Sequence, residues 1–149
     1  MAVTFYVLAD SQLSTENELS DPPAHFTLAC QLCANFYRAN QRVFVYTASQ
    51  QDAELIDQLL WQFEADSFVP HNLSGEGPAR GAPVEISWQT PKQSRQVLIN
   101  LAPDMPAFAN RFADIIEFVP AEAAAKSQAR ERYKQYRQSG ITPATVNAD

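Results

Sequence analysis

The order in which apolar periodicity changes along the chain restricts its fold more than any other feature. Residues 3–9 (VTFYVLA) form a nearly continuous apolar run rich in β-formers, as a buried strand requires. A polar stretch ends in Asp21-Pro22-Pro23, and the spacing then switches, with Phe26, Ala29, Cys30, Cys33, Phe36 and Tyr37 recurring at helical intervals. Residues 42–48 (RVFVYTA) read as a second strand, and Ser49 with Asp52 three positions on resembles a capping box that opens a helix to about residue 63. The segment around Pro70, His71 and Asn72 reads as a turn. It leads into a loop holding three of the four glycines, Gly75, Gly77 and Gly81. Residues 84–88 and 96–102 then read as strands, followed by a short helix near 106–112, a strand over 114–119 and a long helix over about 121–138 that Gly140 stops.

Strands and helices alternating in this order predict an α/β fold, a Rossmann-like open, mainly parallel sheet with helices on both faces, with an antiparallel excursion over 81–96. The length of 149 residues and the 46% hydrophobic content suit one domain over 1–140, with residues 141–149 as a flexible C-terminal tail. Nothing at the start resembles a signal peptide and no apolar run approaches the roughly 20 residues of a membrane span, so a cytoplasmic protein without membrane contact is expected.

Sites for chemistry are weakly represented. The first strand-to-helix turn reads Ala9-Asp10-Ser11-Gln12, without the glycines of a phosphate cradle. The glycine-rich stretch from Gly75 to Gly81 carries Glu76 and lacks the Gly-Lys-Ser/Thr ending of a P-loop. Cys30 and Cys33 stand deep inside a helical pattern, which suits small buried hydrophobes better than a redox pair at a helix start. The only histidines are His25 and His71, too few to complete a tetrahedral zinc site convincingly. No catalytic residue, cofactor or metal is therefore expected.

Two surfaces stand out instead. On a wheel of about 100° per residue, Ala53, Ile56, Leu59, Leu60 and Phe63 form the core-facing stripe of the second helix, and Trp61 falls on the far side with Glu54, Asp57 and Gln58. A tryptophan there, with Phe68 shortly after the helix, reads either as a docking patch for a partner protein or as a side chain covered by the following loop. The second surface follows from charge. The net charge is −6, yet five of the 11 basic residues lie between Lys126 and Arg137 with Glu131 as the one acid, leaving six basic against 16 acidic residues elsewhere. Lys126, Arg130, Tyr133, Lys134 and Arg137 fall within roughly 100° of arc, while Ala125, Ala129 and Tyr136 form a side that can pack on the domain. Such a strip suits an acidic peptide with an apolar anchor, a single-stranded nucleic acid, or plain solvation.

These residues also carry a family resemblance. The run SFVPHNLSGEGP from Ser67 to Pro78, GAPVEI from Gly81 to Ile86, Phe118-Val119-Pro120, and ARERYKQYR from Ala129 to Arg137, with Thr4-Phe5-Tyr6 and Leu60-Trp61, resemble the chi subunit family of bacterial DNA polymerase III holoenzyme. The alanine-rich opening from Ala121 to Ala125 and the stretch from Gln62 to Asp66 depart from that pattern. The resemblance implies a non-catalytic accessory subunit of the clamp-loader complex in DNA replication. It implies a 1:1 heterodimer with the psi subunit, which links it to the clamp loader, through Trp61, Phe68, Pro70, His71 and Asn72. It implies binding of the acidic, Phe-ending C-terminal tail of single-stranded DNA-binding protein (SSB) through Lys126, Arg130, Tyr133 and Lys134, with Val119 lining the pocket for the terminal phenylalanine. A helicase-like repair protein is a further partner implied at the psi-facing surface. Direct single-stranded DNA binding through the basic helix is the alternative, expected to be weak on an acidic body.

Overall fold

The computed structural model describes residues 1–8, 23–62, 69–73, 82–92 and 95–148. Phe63, Phe68 and the Gly75 to Gly81 loop lie outside them. Seven strands, β1 (Ala2–Val7), β2 (Val43–Tyr46), β3 (His71–Leu73), β4 (Val84–Ser87), β5 (Val97–Asn100), β6 (Asp114–Val119) and β7 (Ala144–Asn147), form one sheet in the order β3-β4-β2-β5-β6-β1-β7. Every pairing is parallel.

The sheet is covered on both faces because its strands are apolar on both. Val43 and Val45, Val84 and Ile86, Val97 and Ile99, and Ile116 and Phe118 turn to one side, where α1 (Ala24–Arg38) and α2 (Gln50–Gln62) lay down Phe26, Ala29, Cys30, Cys33, Ala53, Ile56 and Leu60. Phe5, Phe44, Leu98 and Ile115 turn to the other and meet Phe108, Ala109 and Phe112 around a short 3-10 helix (Ala109–Arg111), with Tyr136 from α3 (Ala123–Gln138). Alternate residues of each strand thus feed two cores.

Local signals behave as the sequence suggests. The Ser49 hydroxyl accepts a hydrogen bond from the Asp52 N–H (3.2 Å) at the start of α2. Pro23 stands directly before α1, and Gly140 ends α3 with φ +86°, a conformation costly for residues with a Cβ. Burial pushes the Cys30 thiol up to about 12 and the Cys33 thiol higher than usual, as inert packing groups behave.

Three expectations need correction. Among the described residues after Gly81 there is no antiparallel excursion, since β4 pairs parallel with both β2 and β3. Pro70-His71-Asn72 is not a turn: His71 opens β3, an edge strand in register with Val84, and Pro70, which precedes it, accepts a hydrogen bond from the Val84 N–H. Residues 144–147 are no loose tail either. They pair with β1 from Thr4↔Ala144 to Val7↔Asn147, because the edge of β1 offers backbone partners that a short exposed segment can use without burying apolar side chains.

Candidate functional site

The two surfaces lie on opposite faces of the sheet. On the α2 side, Ala53, Ile56 and Leu60 are buried and Leu59 is half-buried, which turns Trp61 outward at 62% exposure. Its ring meets the His71 ring edge-on, centroids 4.8 Å apart. His71 is only 8% exposed, and both of its nitrogens face oxygens: Nδ1 lies 2.6 Å from the Val69 carbonyl, and Nε2 lies 3.2 Å from the Asp57 carbonyl and 3.3 Å from the Asp57 carboxylate. His71 therefore braces Trp61 against α2 rather than offering a free base. Asn72 is a staple, its Nδ2 donating to the Leu73 carbonyl (2.6 Å) and its Oδ1 accepting from the Ala82 N–H (2.7 Å). Pro70 is half-buried beside it. Of the five residues singled out here, the structure brings Trp61 and His71 into contact, while Phe68 lies outside the described residues.

On the other face, α3 opens on Glu122, whose carboxylate accepts from the N–H groups of Ala124 (3.1 Å) and Ala125 (2.9 Å). Its buried side consists of Ala129, Arg132 and Tyr136. Tyr133 is half-buried against Phe5, ring centroids 5.4 Å apart, and Val119 is half-buried at the end of β6 against the same core. Arg130, Lys134 and Arg137 are exposed, and Lys126 is half-buried. Lys134 meets Glu131 at 3.3 Å with both side chains largely in water, a contact that contributes little. The strip expected from the wheel is thus assembled on one flank of α3.

Arg132 departs from the charge count. It is 6% exposed, with Nε donating to Glu117 Oε1 (2.8 Å) and its terminal nitrogens donating to the carbonyls of Pro103 (2.8 Å) and Phe118 (3.0 Å). Glu117 Oε2 accepts from Asn100 Nδ2 and the Tyr136 hydroxyl, each at 2.8 Å. Burial pushes the Glu117 carboxyl above its usual range, against the pull of Arg132 and the hydrogen bonds from Asn100, Tyr136 and Arg132. This network was not singled out from sequence. Its signal was an acid, Glu117, between the apolar residues Ile115, Ile116, Phe118 and Val119, opposite an arginine on the buried side of the wheel.

A cleft of about 280 Å³ opens at the carboxyl ends of the strands, lined among others by His25, Asp52, Asn100, Phe118, Gln128 and Arg132. His25 is held down to about 4 by burial and by Arg132. No group of three or more metal-ligating side chains occurs among the described residues, and no helix in them is long and apolar enough to cross a membrane.

Residues 1–144 match the family model described as DNA polymerase III chi subunit, HolC. The chain belongs to the chi subunit family of DNA polymerase III. It is 42% identical over 145 residues to the DNA polymerase III subunit chi of Escherichia coli, covering 96% of this chain and 95% of that protein. The Haemophilus influenzae subunit chi is 41% identical over 145 residues, covering 96% and 94%, and that of Pseudomonas aeruginosa 31% over 139 residues, covering 93% and 90%. Among solved structures, T4 UvsW superposes with a TM-score of 0.59 at 11% identity over 98% of this chain and 41% of its own, a likeness of fold alone. Chi-family membership makes the protein a replication accessory subunit.

Proposed function

We propose that this chi-family protein is an adaptor that holds psi on the Trp61 surface and the acidic C-terminal tail of SSB on the α3 flank. The observation that carries the reading is the composition of that flank: Arg130, Lys134 and Arg137 exposed on a protein of net charge −6, beside an apolar seat formed by Tyr133 and Val119. Cations at hydrogen-bonding reach bind carboxylates, and a half-buried tyrosine beside a valine accepts a terminal phenylalanine, with Lys126 at the helix start placed for the chain's terminal carboxylate. Psi then meets Trp61, with Phe68 and the Pro70, His71 and Asn72 segment beside it, in a 1:1 heterodimer that joins the protein to the clamp loader. An exposed tryptophan fixed by a buried histidine is the kind of rigid aromatic anchor that dominates protein interfaces. A helicase-like repair protein would compete for this same surface. The protein acts in the cytoplasm, catalyses no reaction and carries no cofactor.

Arg130→Glu and Lys134→Glu should each abolish binding of a synthetic acidic, Phe-ending peptide in calorimetry and leave psi binding intact. Trp61→Ala should do the reverse. Unchanged peptide affinity in the charge-reversal variants sinks the assignment of the flank. Tighter binding of a single-stranded oligonucleotide than of the peptide, in the same buffer, favours direct DNA binding instead.

A further inference from the structure

We infer that β7 is a strand-accepting edge, and that an acidic peptide bound at the α3 flank pairs its backbone with β7 as an eighth parallel strand. This rests on the reading of that flank as a peptide receptor and specifies how the peptide is held.

The direction in which the flank faces follows from the sheet order. Arg132 reaches toward Glu117 and Asn100 over β6 and β5, whereas Tyr133 lies against Phe5 of β1. The side of α3 carrying Lys126, Arg130, Lys134 and Arg137 is continuous with Tyr133 and opposite Arg132, so it overhangs the β1 and β7 side of the sheet. The floor below it is continuous. Val119, Val7 and Asn147 are register partners across β6, β1 and β7, and Phe5 pairs with Thr145 on that same face.

Among the described residues nothing pairs with the outer edge of β7. Residues 144–147 are all exposed, and no charged side chain occurs from Ile141 to Ala148, whereas unpaired edges are usually blunted with charge. The Ala148 N–H donates to the Val7 carbonyl (2.9 Å), which fixes the parity of the strand: alternate residues face β1, and Thr145 and Asn147 direct their N–H and C=O groups outward. Two donors and two acceptors therefore stand in a row beneath a line of cations. A peptide running parallel to β7 would pass Arg137, Lys134, Arg130 and Lys126 in turn, because α3 is antiparallel to the strands it covers. Its last residues would then cross Val7 to place the terminal phenylalanine at Val119. Backbone pairing supplies affinity, and the side-chain seat and cations supply selection.

The test uses the full chain and synthetic acidic peptides ending in phenylalanine, N-methylated at single backbone positions. Methylation at positions of one parity should weaken binding about tenfold, the loss of one or two backbone hydrogen bonds, and methylation at the other parity should leave it unchanged. Binding of the unmodified peptide should slow exchange of the Thr145 and Asn147 amides. Thr145→Pro, which removes an outward N–H and spares the β1 pairing, should weaken the peptide about as much with no loss of stability in urea. Equal affinities for all methylated peptides, with Arg130→Glu still abolishing binding, overturn the strand pairing and leave the receptor reading standing. Failure of the unmodified peptide to bind overturns both. Slowed exchange at Thr145 and Asn147 with a single-stranded oligonucleotide but not with the peptide overturns an acidic peptide as the occupant.

Discussion

The helices that present the two surfaces are attached to the sheet by different physics. α2 is held by an apolar stripe, Ala53, Ile56 and Leu60, with His71 bracing the one aromatic it exposes. α3 buries few large apolar groups and is pinned by the ion pair of Arg132 with Glu117, to which Tyr136 and Asn100 also donate. An apolar stripe is tolerant of small shifts because dispersion and burial are nondirectional. A hydrogen-bonded pair has one geometry, so it fixes the rotation of α3 and thereby which cations face β7.

The largest effect should come from breaking that pin. Glu117→Ala leaves the Arg132 guanidinium buried without its counter-ion and is expected to cost about 3–5 kcal/mol in denaturant unfolding. If α3 is oriented by the pair, the remaining folded protein should also bind the acidic peptide more weakly with psi binding kept. A peptide affinity equal to wild type would show that packing alone sets the helix. Leu60→Ala, the matched change in α2, should cost about 2–5 kcal/mol by the same measurement. It should spare the peptide site, since Leu60 belongs to the core on the opposite face.

A smaller effect separates the partners. Raising salt from 0.05 to about 0.5 M shortens the screening length well below 10 Å. The peptide should lose several-fold in affinity, while psi, proposed to dock on Trp61, should change little. Equal salt dependence of the two complexes would break the distinction between a cationic and an aromatic surface.

A last effect is a pH dependence seated between the helices. The folded protein holds His25 at about 4 against 6.5 in a free chain, by burial and by Arg132. As pH falls below 6.5 the unfolded chain takes up the proton first, so the stabilisation from a neutral His25 is full above 6.5 and is lost progressively toward 4. Urea midpoints measured across that window should fall with pH, and His25→Gln should flatten part of the slope. A slope unaltered by the substitution would place the titration elsewhere.

Much of this was legible in the sequence, because periodicity reports burial. The strand over 114–119 follows from its apolar run, the stop at Gly140 from the residue type, and the outward Trp61 and the alignment of Arg130, Lys134 and Arg137 from counting intervals of 3.6 residues. Those intervals describe one element at a time. They could not reveal that Arg132 spends its charge on Glu117, fifteen positions away, or that His71 sits beneath Trp61. Nor could they turn residues 144–147 from a tail into a strand, since the alternation of Ala144-Thr145-Val146-Asn147 spans only four exposed residues, which the edge of β1 puts in order. Sequence alone settled which side chains share a helix face and the class of sheet they cover. Tertiary structure decided which charges remain in water and which backbone groups stay unpaired, because both depend on partners brought together only by the sheet order.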